Sequence, residues 1–259
     1  MENYVKKIGL PSTKDRKQAI LNILKNDINI QQDKIKDDLS IEVDLTEFCN
    51  TKTQNVPTIY LMAHFDVIEK ISNGYNDNAS SIAIILKIAE EIMREKSKTP
   101  IKLVFTYGEE IGGIGSKYFV SKIKDETESI IINLDVCAGG DIIVVKDDTK
   151  ENLFAMQFTD GYIADKYAVI ETTYLPFSDA SITSRYIDTI SISAFPEEDV
   201  PKLIGIEKGF GLEVMKYMHG SKLKKLPKRR ALRKEVITTI GPSPYSDYTL
   251  PILPPSKWG

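Results

Sequence analysis

Only two cysteines, two histidines and one tryptophan occur among the 259 residues of this chain. Cys49 and Cys137 form no CxxC pair and are too few for a disulfide framework, which excludes a stapled secreted scaffold. No apolar run approaches the roughly 18 residues that a membrane span needs, so no membrane span is expected. The opening residues Met1 to Lys7 lead into no apolar stretch, so we expect no signal peptide and a cytoplasmic location. Nor is one sign of charge in surplus. Thirty-four basic against 37 acidic side chains leave a net charge of −3, which excludes a polycationic nucleic-acid binder, and no nucleic-acid partner is expected. A Gly-x-Ser-x-Gly elbow is missing, so nothing suggests an activated serine. No internal repeat of solenoid length is present either.

What remains is an ordinary globular composition with alternating elements. Apolar positions at helical spacing mark helices over residues 14–26 and 79–94, with a shorter one at 116–123. Ile41 to Leu45 alternates as a half-exposed strand does. Thr58 to Ala63, Ile101 to Phe105 and Ser129 to Leu134 are nearly continuous apolar runs of strand length, the pattern of strands buried on both faces. Asp141 to Lys146 and Thr189 to Ser193 read as further strands, and helices are expected near 160–169, 206–218 and 229–238. This order predicts an α/β fold: a single domain whose central mixed, mostly parallel sheet is flanked by helices on both faces. We place that domain at residues 1–241 and a proline-rich tail at 242–259, where five prolines exclude helix or central strand. Residues 222–234 hold eight basic side chains and no acid, a run that reads first as a solvated loop and helix face.

The polar groups that matter sit at strand ends. His64-Phe65-Asp66 follows the first buried strand, Glu109-Glu110 the second, and Asp135 the third, while Asp77 lies just before the helix at 79. Ligands of open α/β sheets bind outside the carboxyl ends of the strands. The carboxylates gathered there beside an imidazole would repel one another unless cations neutralised them. Oxygen and imidazole donors suit zinc, manganese or cobalt. Each fragment alone has a plainer reading: Asp77-Asn78 as a helix N-cap, Glu109-Glu110 as a solvated turn. Composition and periodicity therefore stop at a metal-site hypothesis.

The strings themselves go further. His64-x-Asp66, Asp77-Asn78-Ala79-Ser80, Glu109-Glu110-x-Gly112-x-x-Gly115-Ser116, Asn133-Leu134-Asp135 and a late His219 resemble the M28 family of zinc metallopeptidases, which includes aminopeptidases, glutamate carboxypeptidases and related glutaminyl cyclases. The resemblance runs from about residue 14 to about residue 220. M42 peptidases place a lid domain between the first histidine and the bridging aspartate, whereas here only twelve residues intervene between His64 and Asp77. What the resemblance implies is a zinc-exopeptidase-like fold and two zinc ions per chain, with cobalt or manganese possible in their place. His64 and Asp135 would ligate one ion, Glu110 and His219 the other, and Asp77 would bridge them. Asp66 would orient His64, and Glu109 would be the general base. The peptide bond after Asp77 is expected in the cis form. The implied activity is that of a metal-dependent exopeptidase, an aminopeptidase hydrolysing peptides or small amides. The alternatives are a one-zinc glutaminyl cyclase-like acyltransferase and an inactive M28-like binding module.

Two departures stand out. Many family members have Ser-Asp-His where this chain has Ser178-Asp179-Ala180, and the first two residues read as a helix cap. His219 is followed by Gly220-Ser221 rather than by a threonine. Tyr162, Tyr167, Tyr174 and Phe177 are open to either a specificity pocket or the core, and Cys137 reads as a packing residue.

Overall fold

The computed structural model describes residues 1–49, 57–69, 73–97, 99–124, 129–138, 140, 142–147, 168–172 and 178–195. Among these, eight strands make one sheet: β1 (Ile35–Asp37), β2 (Ser40–Asp44), β3 (Thr58–His64), β4 (Ile101–Thr106), β5 (Ser129–Leu134), β6 (Ile142–Asp147), β7 (Ala168–Thr172) and β8 (Asp188–Phe195). Their spatial order is β1-β2-β4-β3-β5-β8-β6-β7. The four central strands β4, β3, β5 and β8 run parallel. The joins of β1 to β2, β2 to β4 and β6 to β8 are antiparallel, and β6 pairs with β7 in parallel. The expected mixed, mostly parallel sheet is therefore present.

Among the described residues five α-helices accompany it: α1 (Glu2–Ile8), α2 (Thr13–Asn22), α3 (Ser81–Glu95), α4 (Ile114–Ile123) and α5 (Ala180–Thr183). Alternation along the strands explains the layering. Leu61 and Ala63 of β3, with Leu103 and Phe105 of β4, join Ile8, Ile20, Leu24, Ile82, Ile85 and Leu86 in one apolar cluster, so α1, α2 and α3 cover that face. Tyr60, Met62 and Val104 point the other way and meet Phe119 and Ile123 of α4. Tyr60 and Phe119 pack edge to face with centroids 5.2 Å apart. No helix among the described residues is long and apolar enough to cross a membrane.

Three local expectations change. The helix over 14–26 is α2 followed by a wider π-type turn, Ile23–Asp27. Residues 168 and 169, expected at the end of a helix, instead open β7, where Val169 and Ile170 supply β-branched residues that favour a strand. Glu2–Ile8 forms a helix with Tyr4 and Ile8 buried, although no helix was expected there. The expected helices at 206–218 and 229–238, the basic run and the tail from 242 lie outside the described residues.

Candidate metal centre

Parallel β3, β4 and β5 end on the same edge of the sheet, and each delivers a polar group there. His64 closes β3, Glu109 and Glu110 stand in the turn after β4, and Asp135 follows Leu134 of β5. Asp77 arrives from the π-type turn Tyr75–Ser80 that leads into α3. His64 Nε2 lies 3.0 Å from Asp77 Oδ1 and 3.5 Å from Asp135 Oδ1. One ligand atom each from His64, Asp77 and Glu110 falls within 4.8 Å of the other two. The Asp77–Asn78 peptide bond is cis, as the resemblance implied. Asp77 caps no helix; its carboxylate faces the imidazole instead. Glu109 is buried beside this group. His219 lies outside the described residues.

Asp66 has a wider reach than the orientation of one imidazole. Its Oδ1 is 3.5 Å from His64 Nδ1, an ion-pair distance. The same carboxylate accepts hydrogen bonds from Glu109 N and Glu110 N, both at 3.1 Å. It therefore ties the histidine turn to the turn that carries both glutamates. That second turn is compact: Gly115 N donates to Tyr107 O at 2.6 Å, and a Cβ on Gly115 would lie 2.5 Å from Tyr107 N, so only glycine fits. Next to Asp66 and Glu110 opens a cavity of about 580 Å³ lined by Leu39, Phe65, Val67, Tyr107 and Ile111 and also by Lys14, Lys17 and Glu69.

The electrostatics test whether a cation fits. Burial lowers the His64 pKa, but the surrounding carboxylates of Asp135, Asp66 and Asp77 outweigh it, and the imidazole is held well above its ordinary value. Burial pushes Glu109 up to about 9, against the opposing pull of His64 and with Asp179, Asp135 and Glu110 adding to the rise. Burial raises Glu110 too, with Asp77 contributing. Without a cation, then, this edge favours protonation of His64, Glu109 and Glu110. Asp135 Oδ1 is buried with no hydrogen-bond partner. Such an atom is costly unless something ligates it. An imidazole and carboxylates converging at these distances fit a divalent ion, which would hold His64 neutral and offset the acids.

Comparison with known proteins agrees. The profile of peptidase family M28 matches residues 48–194, more than half of the chain and the stretch that carries His64, Asp66, Asp77, Glu109, Glu110 and Asp135. The chain belongs to peptidase family M28. A curated relative, the alkaline phosphatase isozyme conversion protein of Escherichia coli strain K12, is 27% identical over 108 residues, 36% of this chain and 31% of that protein. Among solved structures, the LapA aminopeptidase of Legionella pneumophila superposes with a TM-score of 0.56 at 18% identity, covering 75% of this chain and 60% of LapA. A glutaminyl cyclase from an Acidobacteriales bacterium gives 0.59 at 16% identity, covering 74% and 76%. These likenesses establish a shared fold. The chain spans about a third of the curated relative and three fifths of LapA.

Two residues of this M28 chain matter more than the sequence reading allowed. Arg16 on α2 is fully buried beneath the site. Its guanidinium donates to Leu10 O at 3.0 Å, Asp66 O at 3.2 Å, Asn73 O at 2.7 Å and Gly74 O at 2.6 Å, with a longer contact to Phe65 O at 3.4 Å. Gly74, at φ +48°, leaves the room: a Cβ there would lie 2.0 Å from Arg16 Nη2. A signal existed, because Arg16 shares the buried stripe of Ile20 and Leu24 at helical spacing.

Asp179 corrects the cap reading. It precedes α5, yet its side chain makes no cap bond; it accepts from Thr106 Oγ1 at the end of β4, and its Oδ1 is buried without a partner. Burial pushes this carboxyl up to about 6, with His64 opposing and Asp66 adding. The folded pKa lies above the ordinary 3.8, so the folded state holds the extra proton between the two values. Stability from Asp179 is thus complete below about pH 4 and lost as pH rises through about 6. In metal-free protein, wild type is expected to lose about 2–3 kcal/mol more than Asp179→Asn between pH 4 and pH 7. Urea unfolding at both pH values checks this; parallel pH profiles would exclude it.

Proposed function

We propose that this chain is a metal-dependent aminopeptidase that hydrolyses peptide or small amide bonds, with His64, Asp77, Glu110 and Asp135 as ligands of zinc and Glu109 as general base. The observation that carries the reading is the approach of His64, Asp77 and Glu110 to within 4.8 Å of one another, with a buried carboxylate, Glu109, beside them. His219 is proposed as the remaining ligand of a two-ion site on the strength of the family resemblance. Bound zinc supplies Lewis acidity toward the scissile carbonyl and lowers the pKa of water.

The chain's own residues do the rest. Glu109 takes the proton of the attacking water and returns it to the leaving amine nitrogen. Burial keeps bulk water from that carboxylate. Asp66 holds the His64 ring and, through the N–H groups of Glu109 and Glu110, the direction in which both glutamates leave the turn. The apolar lining of the adjacent cavity favours substrates with an apolar side chain next to the scissile bond.

Hydrolysis of amino-acid p-nitroanilides by the zinc-loaded protein tests the proposal. Chelator treatment is expected to bring the rate to background, and added zinc or cobalt to restore it. The glutaminyl cyclase fold neighbour supports a second reading, acyl transfer within an N-terminal glutaminyl substrate. Loss of ammonia from such a peptide with no anilide hydrolysis, and one zinc rather than two per chain, would favour it. Bound metal with neither activity would favour a binding module.

A further inference from the structure

The turn that presents Asp135 contains a residue in an unfavourable conformation. Val136 has φ 53°, the left-handed region, which β-branched side chains avoid. Its N–H donates to Asn78 Oδ1 at 3.2 Å, and its carbonyl accepts from Ala194 N at 3.0 Å. Asn78 Nδ2 donates in turn to Leu134 O at 3.0 Å. A single fully buried side-chain amide therefore bonds the backbone immediately before and immediately after Asp135. That amide belongs to the residue that follows Asp77. Asn76 adds a brace from the same segment, its Oδ1 accepting from Ala138 N at 2.8 Å.

We propose that Asn78 is a positioning residue that sets the separation of the Asp77 and Asp135 carboxylates by pinning Val136 in the left-handed conformation. Resting on the reading of both aspartates as metal ligands, the inference assigns Asn78 a task that neither aspartate can perform. The two carboxylates come from segments 58 residues apart in sequence, and no described hydrogen bond joins the acids themselves. Asn78 spans the gap through backbone atoms, so the carboxylates are left free to ligate. Released from the amide, Val136 would relax toward the extended region that its β-branched side chain prefers, and Asp135 would be re-aimed with it.

Zinc titration by calorimetry, in competition with a chelator of known affinity, tests the idea with no reliance on turnover. Asn78→Ala is expected to bind zinc about 10–100-fold more weakly than wild type. Glycine occupies φ +53° without a Cβ penalty, so adding Val136→Gly to Asn78→Ala should recover at least about threefold of that loss. A mere packing role for Asn78 gives no reason for a change at residue 136 to restore affinity. Wild-type affinity in Asn78→Ala, or no recovery in the double variant, overturns the inference. Should Asn78→Ala fail to fold, recovery of a cooperative thermal transition in the double variant supports it, and a double variant that stays unfolded overturns it. A wild type that binds no zinc overturns the reading of the site, and this inference falls with it.

Discussion

Replacing Glu109 by glutamine is expected to lower kcat/KM for amide hydrolysis by about 10²–10⁴-fold, the usual contribution of a positioned general base. The substitution keeps shape and volume and removes only the ability to accept a proton. Metal content should persist, because the converging donor atoms belong to His64, Asp77 and Glu110. The turn should persist as well, since Asp66 holds residue 109 by its backbone N–H. Stability should change little or rise, because a buried carboxyl pushed up to about 9 is costly to ionise and glutamine never ionises. Anilide hydrolysis alongside metal analysis and thermal unfolding of the same sample checks all three expectations. A variant that keeps more than about a tenth of wild-type kcat/KM would remove Glu109 from the mechanism.

The second large effect is on stability. Arg16→Met should cost at least about 3 kcal/mol, since several backbone carbonyls lose their donor at once and each buried unsatisfied group costs about 1–3 kcal/mol before relaxation. The methionine fills much of the volume, so the loss reports donors and charge rather than a cavity. Asp77, Asp66 and Glu110 also lose a neighbouring cation; their attraction opposes the burial that lowers the Arg16 pKa. Arg16→Lys separates the contributions. Lysine retains the charge but has three donors on one nitrogen and cannot span carbonyls on both the 65–66 and 73–74 segments. An intermediate loss is expected for lysine. Urea unfolding of the three proteins provides the comparison, and a loss below about 1 kcal/mol for Arg16→Met would show that those carbonyls find other partners.

The apolar runs of β3, β4 and β5 were legible because strands buried on both faces leave no polar interruptions. That legibility extended to the site, since polar residues at the ends of such runs must emerge on one edge when the strands are parallel. The sequence therefore groups His64, Glu110 and Asp135, and the stripe of Ile82, Ile85, Leu86 and Ala89 places α3 behind Asp77. β1 was not legible, being three residues long at the edge of the sheet. The start of β7 is ambiguous in the sequence, because an Ala-Val-Ile run that short satisfies either period.

Order along the chain thus indicates which residue types reach this edge of the sheet, because strand direction and hydrophobic period are local properties. Tertiary structure alone decided how they are held there. In the sequence Arg16 is one more charge on an amphipathic helix, and Asn78 one member of the Asp77-Asn78-Ala79-Ser80 string. Their roles depend on carbonyls and N–H groups about 50 residues away along the chain, and no local pattern encodes which distant backbone atoms a buried side chain will meet.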